Sequence, residues 1–267
     1  SITKLFLAGV IPGLVLAGLF MTYIIGWHYL RPGERPKPEP SMSFAKMIKD
    51  SRFLAPVMAL VFIVIGSMYF GWATATEAAA VGVIGALALA LVQRSLTRET
   101  FFASLMGATR TSAMIALILM GASFLSLSMG FTGLPRALAG WIDSMDLSPI
   151  VLIAALTVFY IILGMFLDGI SSVVLTMAIV EPMIRQAGID VIWFGVFVVV
   201  VVEMAQVTPP IGFNLFVLQG MTKHEISYIA RTAIPMVGLM VLMVVILVIW
   251  PELATWLPDN VRQGPRG

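Results

Sequence analysis

The feature that most constrains this chain is a series of long segments almost without charge. They are Leu5–Tyr29, Phe53–Gly71, Glu77–Val92, Thr111–Gly130, Pro149–Leu167, an interrupted run Val191–Met221, and Ala233–Trp250. Each run is apolar around its full circumference, which suits helices in lipid or deep in a bundle rather than amphipathic surface helices. The short-period alternation of transmembrane β-strands is absent. A helix needs about 20 residues to cross a hydrocarbon core of about 30 Å, and most runs approach or exceed that length. With 60% hydrophobic and 11% charged residues, against about 45–50% and about 25% in soluble chains, a soluble enzyme is excluded. The expected fold is an all-α integral membrane protein, a polytopic helix bundle in a lipid bilayer.

The 16 basic and 14 acidic residues are scattered between the runs, so no nucleic-acid footprint exists. The lack of cysteine excludes disulfides, thiolate metal sites and thiol nucleophiles. No HExxH motif is present, and neither His28 nor His224 is placed beside a serine at membrane depth, so an intramembrane enzyme has no convergent catalytic set. Ser1 precedes the first apolar run without a basic n-region, which reads as a fragment of a longer chain rather than a signal peptide.

Lysine and arginine set the expected orientation. Eleven of the 16 fall in Arg31–Arg52, Arg94–Arg110 and Lys223–Arg231, and five (Lys4, Arg136, Arg185, Arg262, Arg266) fall on the opposite side if the first span runs inward. The richer side reads as cytoplasmic, and all six tryptophans lie at or just beyond span ends, where indole prefers the headgroup layer. The expected organisation is a transmembrane helix over 1–30, a proline-rich cytoplasmic linker over 31–52, helices with a surface connector over 53–110, a unit with two interrupted segments over 111–232, and a last span with an extracytoplasmic tail over 233–267. Phe44–Lys49 and Leu96–Met106 read either as short helices lying on the membrane surface or as ordinary solvated connectors. Thr74 and Glu77 stand at capping-box spacing and start a helix.

Two interruptions go beyond what an anchor needs. After Pro149–Leu167, about 28 Å of helix, the next apolar stretch Val173–Val180 covers only about 12 Å before Glu181, Pro182 and Arg185. A re-entrant helical hairpin over 149–184 fits better than two spans. Its tip, Asp168, Gly169, Ser171 and Ser172, would lie at membrane depth, where irregular backbone survives only inside protein or beside water. The alternative is a turn between two tilted spans.

The second interruption is Glu203-Met-Ala-Gln-Val-Thr-Pro-Pro-Ile-Gly-Phe-Asn214. Pro209 and Pro210 remove two backbone donors and free carbonyls before Thr208. Thr208 and Asn214 add side-chain oxygens, and Gly212 permits close approach to an ion. A discontinuous helix over 191–221 follows, with or without a ligand. Glu203 reads as a carboxylate within the bilayer and by default a functional candidate, or equally as a structural one paired with a helix N-terminus or a basic group. Two such breaks resemble the ion and substrate sites of secondary transporters. The ion-site candidates are Gly169, Ser171, Ser172, Thr208, Gly212 and Asn214; Ser171, Thr208 and Asn214 are also substrate candidates. Asp168 either ligates the ion or caps the second hairpin arm.

Leu5-Phe-Leu-Ala-Gly-Val-Ile-Pro-Gly13, Ala73-Thr-Ala-Thr-Glu-Ala-Ala-Ala-Val-Gly82, Gly188-Ile-Asp190 with Phe194-Gly195, and Thr208-Pro-Pro-Ile-Gly212 resemble, in order, the large permease subunit of tripartite ATP-independent periplasmic (TRAP) transporters, the DctM family. The resemblance runs to about Pro258 and implies the C-terminal part of a longer subunit whose first inverted repeat is missing here. It implies import of organic acid anions, C4-dicarboxylates or sialic acid, driven by sodium as coupling ion and with no cofactor. The implied partners are a DctP-type extracytoplasmic solute-binding protein and a DctQ-type small membrane subunit, in the bacterial inner membrane. The implied fold is one half of an inverted-repeat elevator carrier, with scaffold-type helices over 53–110 and the second inverted repeat, holding hairpin 149–184 and broken helix 191–221, over 111–232. Ala75 and Ala178 stand where the family usually has proline. A non-transporting scaffold subunit is the rival reading, but it gives no reason for two helix breaks.

Overall fold

The computed structural model describes residues 2–31, 46, 51, 54–133, 137, 140, 144, 148–209, 212–222 and 224–260. Among them are ten helices: α1 (Ile2–Leu30), α2 (Ala55–Tyr69), α3 (Ala75–Val92), α4 (Arg98–Thr132), α5 (Pro149–Gly164), α6 (Gly169–Gln186), α7 (Val191–Gln206), α8 (Phe213–Thr222), α9 (Ile226–Ile249) and α10 (Glu252–Asn260). Ile2–Leu30, Ala75–Val92, Arg98–Leu125 and Ile226–Ile249 are long and apolar enough to cross a membrane, while α2, α5 and α7 are shorter apolar helices. The protein is an all-helical polytopic membrane protein.

Local chemistry sets the helix ends. At α3 the Glu77 amide donates to Thr74 Oγ1 at 3.4 Å, and Glu77 Oε2 accepts from the Thr74 amide at 2.7 Å. This closes the expected capping box. Asp190 Oδ1 accepts from the amides of Ile192 and Trp193 and starts α7. Gly188, at φ 72°, ends α6, and the Ile189 amide returns to the Ile184 carbonyl at 2.9 Å. Only a residue tolerant of left-handed backbone reverses the chain there.

The expected surface helix at Leu96–Met106 and the span Thr111–Gly130 are instead one 35-residue helix, α4. Thr97 and Thr100 cap its start reciprocally. Nothing inside it breaks the helix: it holds no proline, and Gly107 or Gly121 costs only about 1 kcal/mol. At about 52 Å it outruns a hydrocarbon core of about 30 Å. The division drawn between residues 110 and 111 therefore falls inside a helix. The linker 31–52, apart from residues 31, 46 and 51, and the helix expected at Phe44–Lys49, apart from Lys46, lie outside the described residues.

The core surrounds α7, whose Trp193, Phe194, Val196, Phe197, Val198, Val200, Val201, Val202, Met204 and Ala205 are all buried. Helices α1, α5, α6, α9 and α10 pack around it, while α2 and α3 pack chiefly on each other. A valine-rich helix buried on nearly every side is what an all-round apolar pattern requires. Close approach is written into Gly195, where a Cβ would stand 2.6 Å from Leu5 Cδ1 of α1. Trp193, expected at a membrane surface, is 5% exposed. It stacks on Phe197 and donates its indole hydrogen to the Leu247 carbonyl of α9 at 3.0 Å, so it is a core residue at a helix end. Helices α5 and α6 are tied by Tyr160 and Thr176, whose hydroxyls lie 2.8 Å apart, and Thr176 also donates to the Ser172 carbonyl at 2.7 Å.

Candidate functional site

The first break separates α5 from α6 at residues 165–168. Asp168 has extended backbone and caps α6, its Oδ2 accepting from the Ser171 amide at 3.1 Å and its Oδ1 from the Ser171 hydroxyl. A carboxylate placed there neutralises the free amides and positive dipole end of α6. Ser171 is thereby occupied. Ser172 is not: it is fully buried, and its Oγ has no hydrogen-bond partner among the described residues. A buried hydroxyl left unpaired costs about 1–3 kcal/mol.

The second break separates α7 from α8. Pro209 lies in the turn, and Pro210 lies outside the described residues. Two carbonyls of the last turn of α7 point in sequence register at the two prolines. That of Ala205 recovers a donor, the Thr208 amide at 3.1 Å, whereas the donor due to the Gln206 carbonyl falls at Pro210, which has no N–H. The Thr208 hydroxyl donates to the Met204 carbonyl at 2.6 Å, which spends its hydrogen and leaves oxygen lone pairs. Gly212 is buried with φ 37°. A Cβ on it would meet the carbonyl oxygens of Thr208 at 2.9 Å and Gln206 at 3.0 Å. Two backbone oxygens thus converge on the one residue type that leaves room between them.

The two breaks meet. A Cβ on Gly164 would lie 2.7 Å from the Ala205 Cβ and 4.0 Å from Ser172 Oγ, and one on Gly169 would lie 2.6 Å from Gln206 Nε2. The start of α6 therefore rests on the last turn of α7. A cleft of ≈ 570 Å³ opens beside this junction, with Asp168, Gly169, Glu203, Gln206 and Asn214 among its lining. Ser171, Ser172 and Thr208 do not line it. Glu203 is exposed, and its Oε2 accepts from Asn214 Nδ2 at 3.5 Å. Among the described residues no group of three His, Asp or Glu side chains could hold a metal ion. Gln206 and Gly164 escaped the sequence reading. The available signal for Gln206 was its place four residues before Pro210.

The profile of the tripartite ATP-independent periplasmic transporter DctM component matches residues 1–253. The chain is 33% identical over 261 residues to the C4-dicarboxylate TRAP transporter large permease protein DctM of Rhodobacter capsulatus, covering 97% of this chain and 58% of that protein. It is 29% identical to the sialic acid TRAP transporter large permease protein SiaM of Vibrio cholerae, covering 97% of this chain and 60% of that protein. It is 28% identical to the isethionate TRAP transporter permease protein DctMQ of Oleidesulfovibrio alaskensis, covering 92% and 39%. The chain spans 58% to 60% of the two large permeases. A family of transporter permeases, not of enzymes, accounts for an all-helical membrane chain with two interrupted helices, and this chain belongs to the DctM component family of tripartite ATP-independent periplasmic transporters.

Proposed function

We propose that this chain is the C-terminal part of the large permease of a sodium-coupled secondary transporter. The complex imports organic acid anions, of C4-dicarboxylate or sialic acid type, across the inner membrane. A DctP-type binding protein delivers the anion from outside, and a DctQ-type small subunit and the rest of the permease complete the transporter. The relatives' names support the substrate class, and the combined DctMQ name of the isethionate relative supports the small subunit.

The observation that carries the proposal is the convergence of the Gln206 and Thr208 carbonyls on Gly212, beside the hairpin tip. These residues fit a hard monovalent cation, which takes several oxygen ligands. The Gln206 carbonyl is without its helical donor, the Thr208 hydroxyl has spent its hydrogen, and Ser172 Oγ is buried and without a partner among the described residues. Gly169, Ser171 and Asn214 complete the proposed set, and Asp168 acts through its cap. Sodium, when bound, supplies the positive charge that lets an anion approach a cleft lined by Asp168 and Glu203. The chain's own part is to hold neutral oxygens at a fixed spacing, which binds an ion and still releases it. Hairpin 149–184 and broken helix 191–221 form the moving unit in this reading, and α2 with α3 belong to the scaffold. The whole complex, reconstituted in proteoliposomes, should accumulate its delivered acid under an inward sodium gradient and not when potassium replaces sodium. Accumulation indifferent to that exchange would overturn the coupling.

A further inference from the structure

Glu203 is the single charged residue between Val191 and Met221. It stands where two clefts adjoin: the one beside the helix breaks, and an apolar one of ≈ 230 Å³ between α1 and α7 that includes Pro12, Gly13 and Met240. Among the described residues neither lining holds a lysine, arginine or histidine. A carboxylate at such a place is expensive, and leucine would fill it at no such cost. The described contact of Glu203 is the amide of Asn214 at 3.5 Å, across the break from the last turn of α7 to the first turn of α8.

This pairing fixes more than proximity. An ionised carboxylate only accepts hydrogen bonds, whereas a primary amide has a donor end and an acceptor end. Glu203 therefore admits one orientation of Asn214, with the NH₂ toward the carboxylate and Oδ1 turned away from it. Side chains that ligate ions are commonly oriented by a hydrogen-bonded partner behind them, and loss of that partner costs about 10–100-fold in affinity. We propose that Glu203 is a positioning residue for the cation, holding the Asn214 amide so that Oδ1 faces the oxygens gathered at the break. This rests on the sodium reading above.

The test is thermal unfolding of the purified complete complex across a sodium chloride series, with choline chloride holding ionic strength constant. Sodium should stabilise the unaltered complex and choline should not. Glu203→Gln can present either end of its amide to Asn214, so the sodium midpoint should rise about tenfold; Glu203→Asp keeps an acceptor-only group and should restore most of the loss. Asn214→Leu should raise the midpoint at least as far, and Glu203→Gln added to it should do nothing more. A wild-type midpoint in Glu203→Gln, or additive effects in the double variant, would overturn the inference while leaving the sodium reading intact. No response to sodium in the unaltered complex would overturn that reading itself. If Glu203→Gln does not assemble, Asn214→Leu decides, since an unchanged midpoint there leaves Glu203 nothing to position.

Discussion

The carboxamide of Gln206 lies against the backbone of Gly169, so close that a Cβ at position 169 would sit 2.6 Å from Nε2. The end of one interrupted helix and the start of another are thus in direct contact through a residue with no side chain and a residue with a flexible one.

That contact predicts unequal alanine substitutions. Gly169→Ala meets the far end of Gln206, which can swing aside, although Val202 Cγ1 at 3.0 Å must also give. Gly164→Ala meets the Ala205 Cβ at 2.7 Å, on a helix buried from most sides. The expected cost is about 1–3 kcal/mol for Gly164→Ala, in the range of overpacked cores, and less for Gly169→Ala. Thermal unfolding of the complex checks the order, and equal losses would contradict it.

Thr208→Val keeps the shape and deletes the hydroxyl. The Met204 carbonyl then keeps only the Val207 amide at 3.3 Å, a loss of about 1 kcal/mol, so the protein should assemble. The sodium concentration for half-maximal uptake should rise, with binding-protein docking unchanged. An unaltered sodium dependence would remove Thr208 as a side-chain ligand and leave the break as a hinge.

Gly212→Ala should be far more damaging. It places a methyl against two backbone oxygens, neither of which has a rotamer to escape into, at a φ that alanine resists. Uptake should be lost at sodium concentrations that saturate the unaltered complex. Normal uptake in this variant would show that the carbonyls of Gln206 and Thr208 are not needed at their present spacing.

Topology has its own test. Cysteines introduced at Lys37 and Asn260 should label from opposite sides of the membrane, the first from the cytoplasm. Labelling of both from one side would refute the odd number of crossings between them, and labelling of Lys37 from outside would refute the orientation drawn from the eleven-to-five basic bias.

Residues 1–267 alone should not transport. A site between inverted repeats takes groups from both, and this chain spans 58% of its Rhodobacter capsulatus relative. Substrate accumulation in vesicles holding only this chain would mark it as a self-sufficient carrier.

The sequence was legible where the cause is local. A threonine three residues before a glutamate closes a capping box, an aspartate before Gly169 caps a helix, and of two carbonyls facing adjacent prolines one, that of Gln206, loses its helical donor while that of Ala205 finds another. It was illegible where the cause is distant. The meeting of Gly164 with Ala205 joins segments 41 residues apart, and the Trp193 indole finds its acceptor 54 residues away, which turns an expected interfacial residue into a core one. The unbroken α4 was illegible for another reason: polar residues at Thr109 and Arg110 lie inside the helix, and polarity alone does not end one.

The hydroxyl pair Tyr160 and Thr176 ties the two arms of the hairpin together. Prising the arms apart would leave the Tyr160 hydroxyl without this partner, at about 1–3 kcal/mol, while Thr176 keeps its bond to the Ser172 carbonyl one turn from the tip. Tyr160 on one arm, Thr176 on the other and the Ser172 carbonyl beside the tip are thus linked in series, like a cross-brace.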